Sequence, residues 1–386
     1  MIPYGRQHIS DDDIQAVVDV LKSDFLTQGP VVPAFEKAVC DYTGAQYAVA
    51  VNSGTSALHV ACLALGLSKG DWLWTTSISF VASANCGLYC GAYVDFVDIN
   101  NDTWNISLER LKEKLEKAKS NNCLPKVLVA VHLCGRSCNM EAIYKLSNEY
   151  GFRIIEDACH AIGGKYQGEL IGNCRYSDIT VFSFHPVKTI TTGEGGMAVT
   201  NNKELTNSMN LLRSHGITRD PQIMQAKTEG PWYYQQVELG FNYRMTDIQA
   251  ALGISQLKQI DNFVSRRNEI AISYDKLLAD LPVQLPFRSE DCCSAFHLYV
   301  IRLQLDKITM THLEVFQELR RSGVGVNLHY IPIHTQPWYQ KIGFKNGDFP
   351  RAEEYYKEAI SLPVFPDLCD ELVCEVVNNL RRILMN

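Results

Sequence analysis

Short apolar runs that alternate with longer amphipathic ones are the strongest constraint on how this chain can fold. "YAVAVN" (47–52) reads as a buried strand and leads through a glycine turn into the helix-like "TSALHVACLALG". "KVLVAVHL" (126–133) is a second strand, and "NMEAIYKLSNEYG" after it is a helix ending at Gly151. "FRIIEDA" and "DITVFSF" are two more strands. Strand and helix in this rhythm imply a parallel sheet with helices on both faces. In such sheets ligands bind at the carboxyl ends of the strands, so the residues just after each strand are the ones to read for chemistry.

From residue 246 to 281 the pattern changes to a single helical stretch, with Ile254, Leu257, Val264, Ala271, Tyr274, Leu278 and Leu281 near one face. "LPVQLP" breaks it, and "FHLYVIRLQL" and a terminal helix follow. The organisation expected is an N-terminal arm (1–30), a large domain (31–245), and a connecting helix with a smaller C-terminal domain (246–386). With 46% apolar and 20% charged residues, the 386-residue chain has material for a large core.

The net charge of −7, with no basic stripe, argues against a nucleic-acid partner. "LKEKLEKAKS" alternates signs at helical spacing and reads as a solvated helix face. No run approaches the roughly 20 apolar residues of a membrane span. "DDD" at 11–13 stands where a signal peptide needs its apolar segment, so a cytoplasmic protein is expected. The thirteen cysteines include no Cys-x-x-Cys pair, and His329 and His334 make a weak ligand pair. The cysteines read as buried free thiols in a reducing compartment, with no metal site.

Three strand ends carry chemistry. After the first comes "NSGTSALH", where Thr55 and Ser56 open a helix with free N–H groups and its positive dipole end, a site suited to phosphate. The same residues also serve as ordinary helix caps. The turn lacks both Gly-x-Gly-x-x-Gly and the Gly-Lys-Ser/Thr of a P-loop. After "FRIIEDACH" lie Asp157 and His160. The aspartate either caps the next turn, pairs a structural arginine, or pairs a protonated heteroaromatic nitrogen. After "DITVFSF" comes "HPVKTITTGEGG", with Lys188 five residues beyond Ser183 in a nearly uncharged run. A phosphate cradle, a carboxylate and a desolvated lysine are together the inventory of a pyridoxal 5′-phosphate site.

These residues, in this order, resemble the sugar aminotransferases of the DegT/DnrJ/EryC1 family. The resemblance runs from "LTQGPVVPAFE" through "NSGTSALH", "SFVASAN", "EDACHAIGG", "SFHPVKTITTGEGG" and "RSHG" to "GFNYRM" and "HYIPIH". It implies the aspartate-aminotransferase (type I) α/β fold, with a mostly parallel sheet in the large domain and a smaller α+β domain. By the same resemblance Lys188 carries the cofactor and Asp157 partners its pyridine nitrogen. Thr55, Ser56 and Ser183 hold the phosphate, and Phe80 stacks on the ring. His160, where many members have Gln, faces the ring hydroxyl. Asn242 reaches the phosphate of the neighbouring subunit, which makes the active unit a homodimer. Some relatives replace the lysine with His and deoxygenate; Lys188 argues against that chemistry.

Within the family, "IPYGRQ", "SDFLTQGP", "SFVASANCGLYCGA" and the lysine motif look most like enzymes that aminate C4 of a UDP-linked 2-acetamido-2,6-dideoxy-4-keto sugar of the β-L-arabino series. The donor implied is L-glutamate, with pyridoxamine 5′-phosphate as the intermediate form of the cofactor. Tyr4, the arm residues Asp24, Phe25, Leu26 and Thr27, Arg244, and Asn327, Leu328, His329 and Tyr330 would contact the nucleotide sugar. The competing substrates are the epimeric UDP-4-keto sugar of the bacillosamine route and a dTDP-4-keto-6-deoxy sugar. A nicotinamide oxidoreductase would need a glycine-rich dinucleotide turn, which is missing. A non-catalytic regulator of this fold would be expected to lose Lys188 or Asp157, and both are present.

Overall fold

The computed structural model describes residues 1–121 and 123–385. Seven strands form the central sheet: β1 (Tyr47–Val51), β2 (Trp72–Thr76), β3 (Tyr93–Val97), β4 (Val127–Val131), β5 (Arg153–Asp157), β6 (Ile179–Ser183) and β7 (Gly196–Thr200). Their spatial order is β1-β7-β6-β5-β4-β2-β3. The pairs from β6 to β3 are parallel, as the rhythm predicts. β7 runs antiparallel to both of its neighbours. It enters through a hairpin-like return after the lysine loop, a connection that needs no crossover helix.

The helices around these strands include α1 (Asp11–Leu21), α2 (Val31–Thr43), α3 (Gly54–Ala64), α4 (Ala82–Tyr89), α5 (Leu108–Ser120), α6 (Met140–Tyr150), α7 (Lys203–Arg213), α8 (Asp247–Leu257) and α9 (Ile260–Leu277). One face of the sheet packs against α2, α5, α6 and α8 around Phe35, Leu111, Ile143 and Ala250. The other packs against α3, α4 and α7 around Leu58, Cys86 and Met209. With both faces covered, the strands are apolar almost throughout, β4 being buried at all five positions.

The stretch expected as one helix from 246 to 281 is two. Thr246 opens α8 with a capping box to Gln249, and Lys258 and Gln259 separate α8 from α9. No Pro or Gly marks that break; packing decides it. Leu257, Ile260, Phe263 and Val264 belong to the core of the large sheet, whereas Ile270, Ala271, Tyr274 and Leu278 belong to a second core. The second core is closed by a small antiparallel sheet (Val283–Gln284, Tyr299–Leu303, Ala359–Leu362) and the terminal helix Asp370–Leu384. Ile2 joins it: its N–H and C=O bond Gly323 and Gly325, which ties the amino terminus to the C-terminal core.

All thirteen cysteines are free, but Cys293, Cys369 and Cys374 are exposed, contrary to the expectation of buried thiols. Among the described residues no helix is long and apolar enough to cross a membrane.

Candidate active site

Sheet register assembles the site. Val51, Ser183 and Gly196 pair across β1, β7 and β6, and Asp157 pairs with Val131 and Val181 at the same end. The three strand ends singled out in the sequence therefore meet at one edge. Here they line a cavity of about 630 Å³, within the range of small-molecule sites. Thr55, Ser56, Phe80, Asp157, His160, Ser183 and Lys188 all line it, with Tyr4, His329 and Tyr330 opposite.

At the end of β1, Ser53 caps α3, accepting a hydrogen bond from the Ser56 N–H at 3.1 Å. The N–H groups at the start of the helix precede its first intrahelical bond and carry the positive end of its dipole. Space there is tight. A Cβ on Gly54 would stand 2.9 Å from the Ser183 Cβ, and one on Gly196 would stand 2.3 Å from the Ser53 carbonyl oxygen. This is the physical reason for the Glu-Gly-Gly turn: β7 starts in van der Waals contact with the helix N-terminus. Thr55, Ser56 and Ser183 line the same space, the Ser56 hydroxyl donating to the Asn52 amide oxygen at 2.6 Å. The donor set suits a phosphate.

Asp157 ends β5 and is buried. One carboxylate oxygen accepts the Cys159 N–H at 3.2 Å and the other accepts the Ser83 hydroxyl at 2.6 Å. Lys188 follows a turn closed by its N–H bond to the His185 carbonyl. Burial pushes its amine below the usual lysine range; the charge of Asp157 pulls the other way. The Cys159 thiol beside them is itself pushed well up by burial and stays neutral.

His160 is buried, and burial together with the Lys188 charge holds its pKa well below the ordinary value. Its Nδ1 accepts the Cys134 N–H at 3.3 Å, so the neutral ring carries its proton on Nε2, which donates to the Tyr330 hydroxyl at 3.0 Å. His329 bonds the Ser361 hydroxyl through Nδ1 at 2.8 Å and is pushed down to about 4 by burial and by Lys188. Two neutral imidazoles thus face the lysine.

Other residues of the sequence reading stand elsewhere in the chain. Asp24, Phe25, Leu26 and Thr27 are exposed beside the start of α8, held by the Asp247 N–H to the Leu26 carbonyl and by a Thr27–Thr246 bridge. Asn242 is exposed and bridges Ser214; Arg244 bridges Val51 and donates to the Ser214 hydroxyl at 3.1 Å. None of these six lines the cavity of its own chain. Asn327 and Leu328 do not line it either, and Asn327 instead pairs with Ser361. Conversely, Ser79, Ser83, His185, Glu194 and His297 line the cavity without having been singled out. Ser83 lies inside the quoted "SFVASAN", where a hydroxyl three residues after Phe80 was the available signal. His297 gave none: it comes from the C-terminal region and reaches His160 only in three dimensions, with ring centroids 4.4 Å apart.

Comparison with known proteins agrees with this geometry. The sequence profile of the DegT/DnrJ/EryC1/StrS aminotransferase family matches residues 7–381. The chain is 38% identical to a Campylobacter jejuni UDP-4-amino-4,6-dideoxy-N-acetyl-beta-L-altrosamine transaminase over 369 residues, covering 95% of this chain and 93% of that protein. Among solved structures, Helicobacter pylori PseC, described as an aminotransferase involved in the biosynthesis of pseudoaminic acid, superposes with a TM-score of 0.90. It is 33% identical, with 100% and 99% of the two chains covered. The PLP form of the putative sugar aminotransferase Spr1654 of Streptococcus pneumoniae superposes with a TM-score of 0.89 at 28% identity, covering 99% and 98%.

Proposed function

The chain belongs to the DegT/DnrJ/EryC1/StrS aminotransferase family, and from that premise we propose that it transfers the amino group of L-glutamate to C4 of a UDP-linked 2-acetamido-2,6-dideoxy-4-keto-hexose of the β-L-arabino series. The product is UDP-4-amino-4,6-dideoxy-N-acetyl-β-L-altrosamine, a precursor of pseudaminic acid. The observation that carries the reading is the convergence of Lys188, Asp157 and the N-terminus of α3 on one cavity. The 38% identity to the Campylobacter transaminase and the likeness to the Helicobacter enzyme support the choice of sugar.

Pyridoxal 5′-phosphate is the cofactor, and when bound it supplies an electron sink and a temporary carrier for the amino group. The residues fit it. The N–H groups opening α3, with the hydroxyls of Thr55, Ser56 and Ser183, would hold a dianion. The Asp157 carboxylate would keep a proton on the pyridine nitrogen. Phe80, exposed at the rim, would cover a ring face, and His160, whose Nε2–H donates to the Tyr330 hydroxyl, would turn that donor to the ring hydroxyl when the cofactor is bound. Lys188 would anchor the cofactor covalently and, as a free amine, would move the proton at the substrate carbon. Its lowered pKa suits both tasks, because only the neutral amine is a nucleophile or a base.

In this reading the active unit is a homodimer. Asn242 and the arm Asp24–Thr27 are exposed and Arg244 is half-buried, and they would complete the neighbouring subunit's site rather than their own. Tyr4, His329 and Tyr330, which line the cavity, would contact the nucleotide sugar within the chain.

Incubating the purified protein with glutamate and a panel of 4-keto nucleotide sugars tests the assignment. The panel holds the β-L-arabino UDP sugar, its epimer of the bacillosamine route and a dTDP-4-keto-6-deoxy sugar. NMR of the amino sugar formed should give the altrosamine product. Preferential turnover of either competitor would replace the proposed substrate.

A further inference from the structure

Building on the assignment of Asp157, we propose that Ser83 is the positioning residue for that carboxylate, and that Ser79 fixes the direction of the contact. The Ser83 hydroxyl stands 2.6 Å from one Asp157 oxygen, and the Ser79 hydroxyl 2.6 Å from Ser83. Both serines are almost wholly buried.

An ionised carboxylate only accepts, so the Ser83 proton is committed to Asp157. The Ser79 proton must then go to Ser83, and the chain has one polarity: Ser79 to Ser83 to Asp157. Helical serines usually bond back to a nearby carbonyl of their own helix. Ser83 instead reaches a strand end 74 residues away, so its hydroxyl serves the carboxylate rather than α4.

The geometry ties two cofactor contacts together. Ser83 sits in the first turn of α4, and its N–H bonds the Phe80 carbonyl at 3.2 Å. One turn therefore sets both the Phe80 ring and the orientation of Asp157. One carboxylate oxygen is held by Ser83 and the other by the Cys159 N–H, which fixes the plane of the carboxylate where Asp157 lines the cavity. Without Ser83 only the Cys159 N–H holds the carboxylate, and its hold on a pyridine proton weakens.

The test compares wild type, Ser83→Ala, Ser83→Thr and Asp157→Asn. Two quantities are read: the dissociation constant of pyridoxal phosphate for apo-protein, and the rate of the glutamate half-reaction. The half-reaction is run with the natural cofactor and with its N1-methyl analogue, whose ring charge is permanent. Loss of one hydrogen bond to a charged group should weaken cofactor binding about tenfold in Ser83→Ala and slow the half-reaction by a similar factor. Ser83→Thr, which keeps the hydroxyl, should restore both. With the methylated analogue the rate gap between Ser83→Ala and wild type should close, because no pyridine proton remains to be held.

A gap of unchanged size with the analogue would mean that Ser83 is merely structural, and wild-type values with the natural cofactor would also overturn the proposal. Asp157→Asn separates this inference from its premise. If that variant behaves as wild type, the assignment of Asp157 itself falls; if it is impaired while Ser83→Ala is not, only the role of Ser83 falls. Should Ser83→Ala fail to fold, Ser79→Ala carries the test. It should show a smaller deficit that the analogue corrects, and an uncorrected deficit or none at all overturns the proposal.

Discussion

Replacing Gly196 with Ala probes whether the close approach of β7 to the α3 turn shapes the phosphate cradle. The added Cβ would lie 2.3 Å from the Ser53 carbonyl oxygen and 2.7 Å from the Gly54 nitrogen, where ordinary contact begins at 3.4 Å. The two backbones must part by about 1.1 Å. Neither neighbour is free to yield: Gly196 is paired to Val51 on one side and Ser183 on the other, and Ser53 caps α3. Overpacking of this kind costs about 1–3 kcal/mol of stability. A shift of about 1 Å in a positioning element can cost about 100-fold in rate. Gly193→Ala is the control. It lies in the same loop at φ +78° with nothing within 4 Å of its added Cβ, so it carries a backbone penalty of about 1 kcal/mol without the clash. Thermal melts of the apo-proteins and equilibrium titration with pyridoxal phosphate measure the two effects. Gly196→Ala should lose cofactor affinity by an order of magnitude or more, and Gly193→Ala should keep it. Equal affinity for both variants would show that the cradle does not depend on this contact.

Two further outcomes follow from the site. Lys188→Ala and Asn242→Ala chains should each be impaired alone, whereas confirmed mixed dimers should regain up to half the wild-type activity, because one site then escapes both lesions; heterodimers no more active than the parents would place Asn242 outside the partner's site. The buried neutral histidines make stability pH-dependent in a defined direction. His329 has a folded pKa of about 4 against an ordinary 6.5, so its contribution is complete above pH 6.5 and is lost as the pH falls towards 4. At pH 5.5 the loss from His329 is about 1.4 kcal/mol, and His160 and His297 add to it in the same direction. Denaturation of wild type and His329→Gln at pH 7.5 and 5.5 should show the smaller pH effect in the variant; equal slopes would mean that His329 is not held neutral.

By itself the sequence determined the alternation of strands and helices, the identity of the strand-end residues and hence the central chemistry. Each of these rests on short-range physics. Apolar runs of strand length must be buried, Ser and Thr gather at helix starts, and a lysine in an uncharged run after a strand requires a special environment. Because the carboxyl ends of parallel strands meet at one edge, Thr55, Ser56, Asp157 and Lys188 are joined by the sequence alone, and Ser183 by the family resemblance. The tertiary structure decided what depends on distant partners. Nothing local in "GMAVT" says that β7 runs against its neighbours, since its direction follows from the short return after the lysine loop. The break at Lys258–Gln259 carries no helix-breaking residue and arises because two separate cores claim the two halves of the stretch. Ser83 and His297 reach the cavity only when α4 and the C-terminal region fold over the sheet edge, bringing a hydroxyl to a carboxylate 74 residues away and one imidazole against another. Side-chain chemistry is written locally, whereas its orientation is set by contacts between segments far apart in the chain.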